Sequence, residues 1–495
     1  MRATPAPDFD SPAGADDGPR PAAPRAGRRA AIGWRLVPLA LSVLLVLLSA
    51  GRLDRPFGPT YEGFNTAVWA TGAQTVRTHG WVESRLGARA VRGDEVQPYA
   101  HHPALTQVVA AAAGTVLGDH RWAYRLAALA FSVAAVWTCW GWLGACRFRD
   151  GPRALGVLAA VGTPLVRGYG VMLNMEIVWL PLLFGLLWAW QAAERAPSRR
   201  SATVCGAVAL AGGLAAHQGI LLAGTLGMLG VARAVTARRR PQPHELSTLA
   251  GAVVGGLAFL GWVAWVNGGL GVLWRQAGVR VGARSWADWV LVQAEHLVVL
   301  FGVVGTAALL GAAVLVRRRP ELWAAAGATF AVTAAYATVF RDGAWHPYWN
   351  AGLVVLVALG AALVADVARR SPLPLVPLLA LLGAVPFLAG LPGTQRSDDH
   401  VAAVVAAGRD QPVVYGTVLL GDWAIYESGR PVETLADCDA LRRVARTEPE
   451  VLVVASEASL GQVIGRPAPS LDHVARATYG ELALVPADEL AGTAC

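Results

Sequence analysis

The chain has 495 residues, of which 55% are hydrophobic and only 15% charged, with a mean hydropathy of +0.44. A soluble protein carries about a quarter charged residues, so a purely soluble globular fold is excluded and an integral membrane protein is expected. All 42 basic residues are arginine, and the net charge of +8 reads first as a topology signal, because cytoplasmic loops retain positive charge; no nucleic-acid partner is expected.

Residues 1–30, rich in Pro, Ala, Asp and Arg without apolar periodicity, read as a disordered cytoplasmic tail. Arg25, Arg28 and Arg29 then precede the apolar run Leu36–Ala50, taken as an uncleaved first span rather than a leader, since many further spans follow. A span needs about 20 largely apolar residues. Eleven runs qualify, at about 33–50, 123–145, 154–170, 177–193, 202–217, 219–236, 247–267, 295–316, 321–340, 348–368 and 373–392. Placing the Arg clusters inside gives a consistent path: Arg147/Arg149/Arg153, Arg195/Arg199/Arg200, Arg238/Arg239/Arg240, Arg317/Arg318/Arg319 and Arg369/Arg370 all fall on interior loops. The N-terminus is then cytoplasmic and the C-terminal region lies outside.

Ala104–Leu117 is apolar but too short to cross, and reads as a helix lying at the outer surface. Beyond Gly393, "QPVVYGTVLL" and "PEVLVVAS" look like buried strands and "DCDALRRVAR" like the helix between them. The expected fold class is an α-helical polytopic membrane protein of about 11 transmembrane helices with a long first extracytoplasmic loop carrying surface helices, plus a small C-terminal extracytoplasmic α/β domain. Its parts are a tail over 1–30, a multispan transmembrane domain over 31–393 and the α/β domain over 394–495. Of five cysteines, Cys139, Cys146 and Cys205 fall in or near spans; Cys438 and Cys495 share the polar C-terminal region, where an oxidising compartment would let them pair if geometry allows.

The first outer loop holds "PTYEGFNTAVWATGAQTVRTHGW" from Pro59 to Trp81. Thr60 suits a helix N-cap, which puts Glu62 in the first turn and sets Glu62, Asn65 and Trp69 on one face. Two readings stand for Glu62: a complement to the helix dipole, or a carboxylate presented for chemistry. The second outer loop, "RGYGVMLNME", brings Asn174 and Glu176 to the mouth of the next span, with Arg167 as a possible partner. Two acids near the outer ends of spans would suit proton removal from an acceptor and orientation of a sugar.

"YAHHPALTQ" sets His101 and His102 before Pro103, where they line a site by hydrogen bonding rather than hold a metal; no metal ligand is assigned, and the part played by a divalent cation is left open. "RDGAWHPYWNAG" brings His346, Tyr348 and Trp349 to the outer edge of the tenth span, as binding groups or as an aromatic belt. Arg275, Arg280 and Arg284 lie on the outer side against the topology rule, either to hold a lipid phosphate or as part of a solvated surface segment. No P-loop, GxGxxG, HExxH or GxSxG occurs, so nucleotide-dependent chemistry has no housing.

The order of these parts resembles the C-type membrane glycosyltransferases, the group of the protein O-mannosyltransferases and the aminoarabinose transferase of lipid A. The patches that carry it are the acidic helix after span one, "HHPAL", "DHRWAYRLAALAFSVAAVWTCW", "YGVMLNME", "HPYW" and "WAIYESGRPV". The resemblance implies transfer of a sugar from a polyprenyl-phosphate carrier to a glycan, lipid or protein acceptor on the outer side of the bilayer, with no cofactor assigned. It puts Glu62 at the position of the first-loop general base, Glu176 at the second-loop acid, and His102 with Pro103 at a turn that shapes the cavity. The family's first loop usually shows Asp where this chain has Glu62. A multispan transporter and a non-catalytic cell-envelope scaffold are the alternatives; ionisable residues collected at outer span ends, with no repeat between halves, weigh against transport.

Overall fold

The computed structural model describes residues 36–92, 95–98, 100–281, 285–343, 346–368, 398–418 and 420–495. The expected tail, the span at 373–392, Arg284 and the Arg369/Arg370 pair lie outside them.

Seven described helical segments are long and apolar enough to cross a membrane: Arg121–Ala145 (α4), Met175–Arg195 (α7), His217–Thr236 (α9), Pro243–Asn267 (α10), Trp286–Arg318 (α12 and a following 3-10 turn), Pro320–Val339 (ending in α13) and Pro347–Ala368 (ending in α14). Two more expected spans are shorter helices, Val37–Ala50 (α1) of 14 residues and Arg199–Ala215 (α8) of 17. The expected span at 154–170 is divided into Asp150–Gly162 (α5) and Pro164–Tyr169 (α6). Pro164 explains the division: it offers no N–H and biases the preceding residue away from helix. Thr163 is accordingly extended (φ −58°, ψ 140°) and its hydroxyl accepts from the Val166 amide to cap the second piece.

Leu39, Val43, Leu44, Leu47 and Leu48 of α1 are exposed while Leu41 and Leu45 are buried, as expected of a helix with one face in lipid. The bundle packs α4 on α7, α8 on α10, and α14 on both α12 and α5. Small residues permit this closeness, since helices in lipid associate by packing rather than by escaping water. At Gly360 in α14 a Cβ would overlap the Ala308 carbonyl of α12.

Between α1 and α4 runs the long loop. It contains Tyr61–Glu83 (α2), a short antiparallel pair Arg89–Arg92 (β1) and Glu95–Pro98 (β2), and Leu105–Leu117 (α3), a helix as short as expected and buried along one side. Thr60 caps α2 as expected, accepting from the Gly63 amide at 3.1 Å. Gly271–Arg280 (α11), which carries Arg275 and Arg280, follows α10.

The C-terminal unit holds Asp398–Asp410 (α15), Val414–Gly416 (β3), Asp422–Ser428 (α16), Val432–Thr434 (β4), Cys438–Thr447 (α17), Leu452–Ala455 (β5), Glu457–Ile464 (α18), Ala477–Tyr479 (β6), Leu482–Pro486 (β7) and Ala487–Ala494 (α19). Its five-stranded sheet runs β4-β3-β5-β7-β6, with β3 parallel to β4 and β5, and β7 antiparallel to β5 and β6. The two strands and the helix expected from sequence are β3, β5 and α17; β4, β6 and β7 were not foreseen. Cys438 and Cys495 form a disulfide that ties the start of α17 to the chain end.

This unit docks on the first loop through one buried carboxylate. Glu427 of α16 accepts from the Phe57 amide at 2.6 Å and from Arg121 Nε at 3.0 Å, with a second, shorter contact to Arg121 Nη2. Tyr426 beside it packs edge-on against Phe57 at 4.8 Å.

The close approach at Gly360 sets an expected outcome. Gly360→Ala lowers the thermal midpoint of the detergent-solubilised protein, at a cost of about 1–3 kcal/mol from overpacking. Gly327→Ala, at a helical glycine whose Cβ would meet nothing within 4 Å, leaves it unchanged or raises it slightly. Differential scanning fluorimetry on the two variants checks both.

Candidate active site

The site is built outward from Arg125, a fully buried guanidinium in the first turns of α4. Its Nε and Nη2 donate to the two carboxylate oxygens of Glu62 at 2.7 and 3.2 Å, in the bidentate fork that arginine favours. Its Nη1 donates to the Leu53 carbonyl at 3.1 Å and to that of Arg55, and the guanidinium lies 4.8 Å from the Phe57 ring. Glu62 therefore holds its place through an ion pair as well as through its first-turn position on α2.

Further along α2, the Thr66 hydroxyl donates to the Glu62 carbonyl at 2.8 Å and accepts from the Leu173 amide at 3.2 Å, which seats the second outer loop on the first. Asn65 donates to the Tyr61 carbonyl and accepts from the Tyr348 hydroxyl at 3.3 Å. That hydroxyl is also 2.9 Å from His346 Nδ1. Glu62, Asn65, Tyr348 and His346 are thus brought together, joining α2 to the 3-10 turn Pro347–Gly352.

A second cluster adjoins this one. His101 and His102 are not helical, and their rings sit 4.0 Å apart, with His217 at 5.7 Å from His102 and Trp69 at 6.1 Å. Arg280 at the end of α11 reaches to 3.4 Å from His101 Nε2 and lies 5.8 Å from the Trp349 ring. His346 and Trp349 rings are 5.3 Å apart, so the Tyr348 and Arg280 clusters share a wall. Gln218 fixes that wall by donating to the Trp349 carbonyl at 3.0 Å.

Glu176 is buried in the first turn of α7, where the Asn174 amide donates to it at 2.7 Å while Asn174 Oδ1 caps the helix by accepting from the Ile177 amide. The cation whose field reaches Glu176 is Arg280, in place of the Arg167 expected from sequence. An open cavity of about 720 Å³ lies against this group, lined by Arg280, His101, His217, Tyr336 and Gln276 and otherwise by apolar side chains such as Leu221, Phe259 and Trp274.

Arg275 is exposed on α11 and does not line the cavity. Four residues that contribute were not foreseen: Arg125, His217, Gln218 and Tyr336. A signal existed for Arg125, since an arginine within an otherwise apolar helix calls for a partner. His217 and Gln218 stand in "AHQG", which offers no chemical spacing of its own.

The electrostatics are one-sided. Burial, and then the positive field of Arg280, hold the His101 imidazole down at about 3 and the His346 imidazole at about 3, with His102 also well below its usual range. These rings are neutral at physiological pH, which leaves Arg280 as the cation among them.

Two outcomes follow. Arg125→Met leaves Glu62 as an uncompensated buried charge and costs about 3–5 kcal/mol, whereas Arg125→Met with Glu62→Met recovers part of the loss; thermal denaturation of the two singles and the double measures the coupling. Between the folded value of about 3 and the unfolded 6.5, the unfolded chain binds the extra proton at His101 and His346, so stability is lost as pH falls below about 6.5. His346→Gln should make that decline shallower by up to about 1.4 kcal/mol per pH unit, read as the midpoint shift across a pH series.

No family model matches the chain, and no curated protein sequence matches it. Its structure is similar to that of ArnT from Cupriavidus metallidurans in the apo state, with a TM-score of 0.60 and 16% sequence identity over 93% of this chain and 99% of that one. It is similar as well to the structure of the same protein bound to undecaprenyl phosphate, with a TM-score of 0.58 and 14% identity over 92% and 98% of the two chains. At these identities the likeness is one of fold: this chain has the polytopic membrane architecture of ArnT, the fold that its resemblance to the C-type membrane glycosyltransferases implied.

Proposed function

We propose that this protein is an integral membrane glycosyltransferase that moves a sugar from a polyprenyl-phosphate donor to a glycan, lipid or protein acceptor on the outer face of the membrane. The observation that carries the reading is Arg280, a cation among neutral imidazoles at the wall of a largely apolar cavity of about 720 Å³. A guanidinium matches phosphate oxygens, and the aliphatic and aromatic walls suit isoprene units. The shared fold with ArnT, one of whose structures holds undecaprenyl phosphate, supports the same ligand class.

In this mechanism the acceptor hydroxyl attacks the anomeric carbon as the bond from that carbon to the phosphate oxygen breaks. Glu62 takes the hydroxyl proton, and the departing polyprenyl phosphate keeps the bonding pair, its charge offset by Arg280. Two of the roughly four lone-pair positions on the Glu62 carboxylate accept from Arg125, which leaves capacity for the proton. Asn65 and Tyr348 bind the sugar or acceptor beside Glu62, Glu176 with Asn174 orients the sugar, and His101, His102 and His346 shape the pocket. Arg275, exposed on α11, meets headgroups at the surface.

The orientation belongs to the same reading. A disulfide between Cys438 and Cys495 suits an oxidising compartment, so the C-terminal unit, over 394–495, and the vault it covers are extracytoplasmic. The Arg-rich loops and the N-terminal tail, 1–30, are then cytoplasmic, with the transferase domain over 31–393 between them.

Purified protein tested with a panel of polyprenyl-phosphate hexoses and pentoses should release free polyprenyl phosphate for at least one donor. Glu62→Gln should lower that turnover at least about 100-fold, the low end of general-base contributions, with lipid-dependent thermal stabilisation retained. Arg280→Gln should weaken the stabilisation itself. A wild-type protein that neither turns over nor is stabilised by any donor in the panel overturns the proposal, and retained turnover in Glu62→Gln removes Glu62 as the base.

A further inference from the structure

Three elements end together at the face of the bundle remote from the vault. Glu176 begins α7 at the vault, and Glu194 lies 18 residues further along that helix, a rise of about 27 Å. His217 begins α9 at the vault, and that helix ends near Arg233. Helix α10 runs the other way, with His244 and Glu245 in its first turn. Glu194, His244 and Glu245 each offer a ligand atom within 4.8 Å of the others.

The histidine is the second observation. His244 is 1% exposed, and neither of its ring nitrogens has a hydrogen-bond partner. Trp190 packs edge-on against the imidazole at 5.1 Å. A buried histidine in a plain structural role hydrogen-bonds at least one nitrogen, because an unmet polar atom carries its full desolvation cost. His244 Nε2 is 4.0 Å from Glu194 Oε1. That gap is too long for a hydrogen bond and about half an ångström wider than the roughly 3.4 Å between two ligands of a tetrahedral ion with bonds of about 2.0–2.2 Å, a difference that a small rotation of the part-exposed Glu194 side chain closes. Glu245 is buried against Gly230, where a Cβ would come within 2.7 Å of its Cγ, so its carboxylate is held in place.

From this geometry we infer that His244, Glu194 and Glu245 form a binding site for a borderline divalent cation of the zinc class, clipping the end of α7 to the start of α10. One imidazole and two carboxylates leave at least one position for water. The cation competes with two arginines and with the Gln242 amide, which donates to Glu245 Oε2 at 2.6 Å. Arg239 donates to both Glu245 oxygens, at 3.0 and 2.6 Å, and Arg233 lies 3.9 Å from Glu194. The arginine side chains are 37% and 47% exposed, so each has water to turn toward when the ion enters, and the competition weakens the binding. The site acts on the packing of the bundle and takes no part in sugar transfer.

The test is isothermal titration of Zn²⁺ into the purified full-length protein in detergent, with the wild type, His244→Ala and Glu194→Gln side by side. One ion per chain is expected, with affinity at least 10-fold weaker in each variant and a zinc-dependent rise in thermal midpoint that both variants lose. Glu194→Gln changes a partly exposed side chain and decides the matter should His244→Ala fail to fold. Absence of zinc binding by the wild type, or binding of unchanged stoichiometry and affinity in Glu194→Gln, overturns the inference.

Discussion

The ion pair between Arg125 and Glu62 is the constraint on which the vault depends. A guanidinium buried at the mouth of α4 would be costly alone, and the chain offsets that cost with five acceptor contacts: two carboxylate oxygens and the carbonyls of Leu53, Arg55 and Pro56. Those contacts fix the turn leading out of α1 and the start of α2 at one point. Because α2 is fixed, Asn65 can meet Tyr348 and Thr66 can receive the Leu173 amide, so the second outer loop and the 3-10 turn before α14 are both referenced to the same guanidinium.

The polar wall beyond this point works by withholding charge. Burial holds His101, His102 and His346 neutral, so they neither cancel nor add to the positive charge of Arg280. Among the described residues, an anion entering this largely apolar cavity meets the Arg280 guanidinium together with neutral side chains such as Tyr336 and Gln276. The C-terminal unit is tied to the first loop and to α4: Glu427 accepts from Arg121 and the Phe57 amide, while Tyr426 donates to Asp119, which in turn accepts from Tyr124 and Gln74. Docking of that unit is therefore continuous with the residues that carry Arg125 and Glu62.

Much of this could be read from the chain itself. Apolar run length marks α4, α7, α9, α10, α12, α13 and α14, because a helix in hydrocarbon must satisfy its backbone internally and can do so only over an apolar stretch of sufficient length. The N-cap at Thr60, the short helix α3 and the buried strands β3 and β5 follow from local chemistry in the same way. The motif patches singled out Glu62, Asn65, His101, His102, Asn174, Glu176, His346 and Tyr348, and a charge on the unexpected side of the membrane singled out Arg280; the fold joins Asn65 to Tyr348, Tyr348 to His346 and Arg280 to His101.

Local pattern could settle which stretches become helices and which polar residues lie near their ends, since both are decided within one or two turns of chain. It could not settle partners separated by long stretches of sequence. Arg125 and Glu62 are 63 residues apart, Tyr348 and Asn65 are 283 apart, and Cys438 and Cys495 are 57 apart. The charge that acts on Glu176 is that of Arg280 rather than of Arg167, and Arg275 is exposed while Arg280, a little over one helical turn away, lines the cavity. Those choices depend on which helices lie against each other, and that is decided by glycine contacts such as Gly360 against Ala308, whose energetics exist only once both surfaces are in place.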